Sequence, residues 1–143
     1  MTVAAILKHK GNAVTAVAPD DTVARLAAVL AEHRIGAALV LDQAGRLLGV
    51  VSERDIVAAL SAHGAAALAQ RADALMTRDV TTASLGTTVA QAMEMMTDGR
   101  FRHLPVMAGD RVIGVVSIGD VVKARIMAQA GEVESLRAYV AGG

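Results

Sequence analysis

Cysteine is absent from this 143-residue chain, and with it any disulfide framework, thiolate nucleophile or thiolate zinc site. Tryptophan is absent too, and Phe101 and Tyr139 are the only aromatic residues. That excludes a single-strand nucleic-acid binder built on stacking platforms. Neither sign of charge is in excess: 14 Lys and Arg balance 14 Asp and Glu, so the basic footprint of a duplex-DNA binder is missing. No uncharged apolar run approaches the roughly 18 residues a membrane span needs. The run Val3–Leu7 is too short for a secretory leader. His9, His33, His63 and His103 lack metal-ligand spacing, and no HExxH, P-loop or Gly-x-Gly-x-x-Gly occurs. No carboxylate pair stands out for acid–base work. The chain therefore does not read as an enzyme, and neither a metal site, a catalytic cofactor, a membrane nor a nucleic acid is expected.

What the chain has in quantity is aliphatic side chain. Hydrophobic residues make up 54%, enough to build a core and too much for a disordered segment. Much of it is Ala and Val, which pack closely but bury little area each. The expectation is a compact, soluble, cytoplasmic α/β (α+β) domain.

The chain is written twice. Val14–Val57 and Val80–Val122 follow one pattern: Val14 pairs with Val80 and Thr22 with Thr88 at an offset of 66, while Gly49 pairs with Gly114 and Asp55 with Asp120 at 65. One residue is lost in the turn near Ala44 or Ala108. Two copies are too few for a solenoid, so a closed pair with pseudo-two-fold symmetry is expected. Each copy opens on a short strand, Val14–Val17 or Val80–Ala83. A helical stripe follows: Val23, Leu26, Val29 and Leu30 in the first copy, Val89, Met93 and Met96 in the second. Two apolar strands joined by a tight turn come next, Ala37–Leu41 with Leu47–Val51, and Leu104–Met107 with Val112–Val116. A second helix then starts at Ser52 or Ser117. The unit is β-α-β-β-α, and its unbroken apolar strands call for a sheet covered on both faces. The expected division is a lead-in helix over 1–13, one repeat over 14–60, a partly helical linker over 61–79, the second repeat over 80–127, and a helical tail over 128–143. The tail pattern breaks near Gly131 and resumes with Val133, Leu136, Tyr139 and Val140, more than a small repeat needs, so it is expected to pack on a second subunit.

Gly49–Asp55 reads GVVSERD, Gly114–Asp120 reads GVVSIGD, and Phe101–Val106 reads FRHLPV, with IGAALV at Ile35–Val40 in the first copy. Two such motifs inside a matching repeat resemble a tandem pair of cystathionine-β-synthase (CBS) domains, a Bateman module. The resemblance covers Val14 to Val122. It implies a stand-alone, non-enzymatic regulatory module that forms a homodimer, answers to a protein partner the sequence does not name, and binds an adenine nucleotide in the cleft between the repeats. AMP, ADP, ATP and NAD(H) are the implied ligands, with S-adenosylmethionine ranked after them.

Ser52 with Asp55, and Ser117 with Asp120, have the spacing of a helix capping box, which needs no ligand. The same geometry also turns amides and a hydroxyl towards phosphate and a carboxylate towards ribose hydroxyls. Ile35, Gly36 and Ala37 supply an aliphatic wall for a base edge, and Phe101 matches them in the second copy; simple core packing explains the same residues. The family pattern implies a first site from Ala13, Val14, Ile35, Gly36, Arg102, His103, Ser117 and Asp120. It implies a second from Val80, Phe101, Ala37, Ser52, Arg54 and Asp55. Arg102 and His103 give the first site the better phosphate chemistry, and Arg54 alone is available to compensate in the second. Lys8 in the lead-in helix is a further phosphate candidate. The alternative is a structural or interaction module whose clefts are vestigial.

Overall fold

A computed structural model describes residues 1–142; the side chains of residues 132–136, 139, 141 and 142 lie outside that description. The chain divides into two compact units. One is Ala13–Val80 with Ala108–Ile113; the other is Met1–Asn12, Thr81–Met107 and Gly114–Gly143.

In the first unit β1 (Ala16–Val17) runs parallel to β2 (Ala37–Leu41), which pairs antiparallel with β3 (Leu47–Ser52). The crossover from β1 to β2 is helix α2 (Val23–His33), whose N-cap Thr22 accepts from the Arg25 amide. Its stripe Val23, Leu26, Val29 and Leu30 is buried against Val40, Val51 and Ile56. Ala38, Leu39 and Val40 are buried in succession, as a strand covered on both faces requires. Helix α3 (Glu53–His63), a 3-10 turn (Gly64–Ala69) and α4 (Ala72–Leu75) follow.

The second unit carries α5 (Val89–Gly99), capped by a Thr88–Gln91 box, and the hairpin of β4 (His103–Ala108) and β5 (Arg111–Ser117). The expected strand at Val80–Ala83 reduces to one parallel bridge, Ala83 to Val106. Pro105 serves that ladder through its carbonyl, which accepts from the Ala83 amide at 2.8 Å, since it has no N–H to give. Helix α6 spans Ile118–Gly142 without interruption at Gly131, so the break in the apolar pattern there is not a break in the helix. The expected apolar positions Val133, Leu136 and Tyr139 lie outside the described side chains; Val140 is exposed. No helix among the described residues is long and apolar enough to cross a membrane.

The lead-in and the linker share one job. Helix α1 (Val3–Lys10) docks on the second copy: the Val3 amide donates to Thr87 O and the Val89 amide to Met1 O. In the first copy the Ala72 amide donates to Asp21 O and the Val23 amide to Gln70 O. Gly49 and Gly114 show why a close approach is needed. A Cβ at Gly49 would lie 2.7 Å from Thr77 O and 2.8 Å from Met76 Sδ; one at Gly114 would lie 2.8 Å from Leu7 Cδ2. In each copy the glycine of the Gly-Val-Val-Ser strand admits the segment that precedes the opposite copy in sequence.

Candidate functional site

Each copy ends its last strand in a serine that caps the following helix. In the first, Ser52 Oγ accepts from the Asp55 amide at 3.2 Å, and Asp55 Oδ2 accepts from the Ser52 amide at 2.8 Å and from Ser52 Oγ at 3.1 Å. In the second, Ser117 Oγ accepts from the Asp120 amide at 3.1 Å and Asp120 Oδ2 from the Ser117 amide at 2.8 Å. Both boxes are closed, so the four residues have the local role the spacing allows. All four are half-buried, which leaves part of each carboxylate facing solvent.

The start of the second strand is tied to the same helix end by one main-chain bond. Glu53 N donates to Gly36 O at 2.8 Å, and Ile118 N donates to Arg102 O at 2.8 Å. Ala37 is in register with Ser52. The first unit therefore gathers Ile35, Gly36 and Ala37 beside Ser52 and Asp55. The bond from Leu39 N to Thr15 O brings Ala13 and Val14 alongside the start of β2. Arg54 is exposed on the first turn of α3 and Val80 is half-buried at the end of the linker. The second unit gathers Arg102, exposed, and His103, half-buried, beside Ser117 and Asp120. Phe101 has its ring over Gly99, where any Cβ would collide with it. The eight residues expected at the first site thus fall four in each unit, and those expected at the second fall five and one.

The residue that sequence reasoning missed is Lys10. Its Nζ lies 2.7 Å from Asp120 Oδ2 and donates to Val115 O at 3.0 Å. Lys8, the residue singled out on the same helix, is exposed. Partial burial pushes the Asp120 carboxyl up, but the Lys10 hydrogen bond and charge, with the Ser117 amide and hydroxyl, more than offset it and hold it below the usual carboxylate range. Comparing the two copies explains the lysine. Val50, the counterpart of Val115, exchanges two main-chain bonds with Thr77, at 3.0 and 2.9 Å. Helix α4 stops at Leu75 and lets Thr77 run out as strand, whereas α1 continues to Lys10. The Val115 carbonyl therefore takes an ammonium where Val50 takes a peptide N–H.

Among the described residues no group of His, Cys, Asp or Glu could hold a metal ion. Comparison with known proteins agrees with the repeat. Residues 11–62 and 72–126 match the family model of the CBS domain. The chain is 33% identical over 150 residues to the CBS domain-containing protein CBSX3, mitochondrial, of Arabidopsis thaliana, covering 99% of this chain and 73% of that one. A CBS-domain containing protein of Agrobacterium tumefaciens superposes with a TM-score of 0.84 at 45% identity, over 87% of this chain and 92% of that one. The structure of CBSX2 in complex with AMP matches with a TM-score of 0.71 at 27% identity, over 81% of this chain and 90% of that one.

Proposed function

The chain belongs to the CBS-domain family, and from that premise we propose that it is a non-enzymatic regulatory module that binds an adenine nucleotide. The observation that carries the reading is the paired junction: in each copy a half-buried carboxylate, fixed by its own capping box, sits at a helix start beside the first residues of the second strand. Such a carboxylate accepts from a ribose diol, and small residues such as Gly36 and Ala37 let a base edge meet main-chain groups. In one unit Asp120 and Ser117, with Arg102 and His103, are the stronger ribose and phosphate set, and Phe101 is a candidate base contact. In the other Asp55, Ser52 and Arg54 are the weaker set, and Ala13, Val14, Ile35, Gly36, Ala37 and Val80 are the candidate base contacts. AMP comes first among the ligands, because a structural neighbour is named as an AMP complex; ADP, ATP and NAD(H) share its adenosine, and S-adenosylmethionine comes last.

The module acts as a homodimer in this reading, since each copy leaves apolar side chains in solvent on its last helix: Val57 on α3 is 64% exposed, and its counterpart Val122 on α6 is exposed together with Ile126 and Met127. A protein partner would then read a shape that nucleotide favours, which requires the ligand to bind two shapes with different affinity.

The test is thermal denaturation of nucleotide-stripped protein with AMP, ADP, ATP, NAD, NADH, S-adenosylmethionine and GTP. A ligand at about 100 times its Kd stabilises the fold by about 2.7 kcal/mol, several degrees in Tm for a chain of this size. A shift with adenosine ligands and none with GTP supports the reading. No shift in protein shown to be folded and empty overturns it and leaves the interaction module.

A further inference from the structure

One oxygen of the stronger carboxylate, Asp120 Oδ2, is already taken. Lys10 reaches Asp120 from the last turn of α1, and α1 is not a loose arm: its first turn is bonded to Thr87 and Leu85, and Leu7 covers Gly114. Gly11 closes the helix at φ 95°, with its amide on Leu7 O. The ammonium is thus delivered to one place, and two of its three donors are spent on Asp120 and Val115 O. Asp55, by contrast, is held through its own Ser52 hydroxyl. Counting onward from the equivalent residues Leu7 and Met76, the position that matches Lys10 is Asp79, which cannot donate to a carboxylate.

We propose that Lys10 makes this site select a phosphorylated nucleoside over the bare nucleoside. The inference rests on the reading that Asp120 takes the ribose diol. A ribose diol that bonds both carboxylate oxygens must displace Lys10 from Oδ2, which already accepts from the Ser117 amide as well, and the displaced ammonium is left without its anion. A nucleotide supplies a new anion in its phosphate, beside Arg102 and His103 on the same unit. A bare nucleoside supplies none, and leaves a charge that only water can satisfy. Lys10 therefore penalises adenosine and rewards AMP. The pair is partly solvated, with side chains 36% and 25% exposed, so the penalty on adenosine is about three-fold. The bond that the AMP phosphate makes to the freed ammonium is worth about ten-fold.

The experiment is calorimetric titration of the full chain with AMP and with adenosine, for wild type, Lys10→Met, Lys10→Arg and Asp120→Asn. Lys10→Met is expected to tighten adenosine about three-fold and weaken AMP about three-fold, closing the AMP preference by about ten-fold. Lys10→Arg keeps the charge and is expected to keep the preference. A purely structural role, holding the Val115 carbonyl, would move both ligands the same way, and that result overturns the proposal. So does an unchanged ratio in Lys10→Met when Asp120→Asn still weakens AMP in wild-type background. If wild type binds neither ligand, or Asp120→Asn binds AMP as well as wild type does, the nucleotide reading at Asp120 fails first and the role of Lys10 falls with it.

Discussion

Substituting alanine at the two equivalent glycines, Gly49 and Gly114, tests how each copy is closed. Neither has a positive φ, so the cost is one of space alone. At Gly49 the new methyl meets Thr77 O at 2.7 Å and Met76 Sδ at 2.8 Å. The carbonyl cannot retreat: Thr77 is bonded to Val50 through both its N–H and its C=O, and Met76 is buried in the core. Overpacking against fixed backbone costs about 1–3 kcal/mol. Removing a strand glycine returns about 0.5–1 kcal/mol of chain entropy. Because the obstacle is hydrogen-bonded backbone the upper end of that cost applies, and a net loss of about 2 kcal/mol follows for Gly49→Ala, or roughly 4–8 °C in Tm. At Gly114 the obstruction is the tip of Leu7, at 2.8 Å and 2.9 Å from its two methyl carbons. Leu7 is itself buried, but a side-chain tip shifts more cheaply than bonded backbone, so the overpacking there costs about 1–2 kcal/mol and the entropy gain offsets part of it. Urea denaturation of the two variants beside wild type decides the matter. Equal losses in both, or a Gly49→Ala protein as stable as wild type, would refute the claim that residues 76–77 are a fixed wall of the first copy while Leu7 is a yielding one.

Three further expectations follow from single contacts. Ser52→Ala and Ser117→Ala each remove a cap acceptor and should cost about 1 kcal/mol in urea titration, with Ser→Gly at either site costing only a few tenths. Arg34 and Arg100 end α2 and α5 in the left-handed region, at φ 54° and 56°, so Arg34→Gly and Arg100→Gly should each stabilise by about 1 kcal/mol; a loss in either would mean the arginine makes a compensating contact. The Asp120 carboxyl is held below its ordinary value near 4, so its contribution to stability is fully present above that value and drains away as pH falls through the lowered one. The Tm difference between wild type and Asp120→Asn should therefore shrink on acidification below about pH 4, and a difference that is flat down to pH 2.5 would contradict the lowering.

The repeat made most of the fold legible. Thr22 and Thr88 pair in the alignment and both turn out to be N-caps, and the serine–acid spacing foretells both capping boxes. Three features escaped for different physical reasons. The strand at Val80–Ala83 has the right residues, but strand propensity is weak without a partner of equal length, and only Ala83 finds one. Gly131 breaks the apolar pattern without breaking the helix, because a glycine in a long helix costs only about 1 kcal/mol. At the site, the junction residues were legible because capping is local in sequence. Lys10 was not, because it meets Asp120 across 110 residues, and the repeat alignment begins only after it.

Lys10 also marks the point at which the two copies became unequal. The bonds of Val3 and Ala72 to Thr87 and Asp21 align the segments at an offset of 69, not the 65 or 66 of the copies themselves. Lead-in and linker are thus the same element, a short helix that covers the glycine-bearing strand of a repeat, and neither is a spacer. They diverge at one point, the residue at which the helix stops. Where α4 ends early, Thr77 satisfies Val50 with backbone and the neighbouring Asp55 answers only to its own serine. Where α1 runs one turn longer, the Lys10 ammonium takes the Val115 carbonyl and brings a full charge to Asp120. Either donor serves the strand carbonyl, and an ammonium is the one that also changes the electrostatics next door. The difference between two otherwise repeated carboxylates therefore needs no change in either motif; it is set by where a covering helix ends.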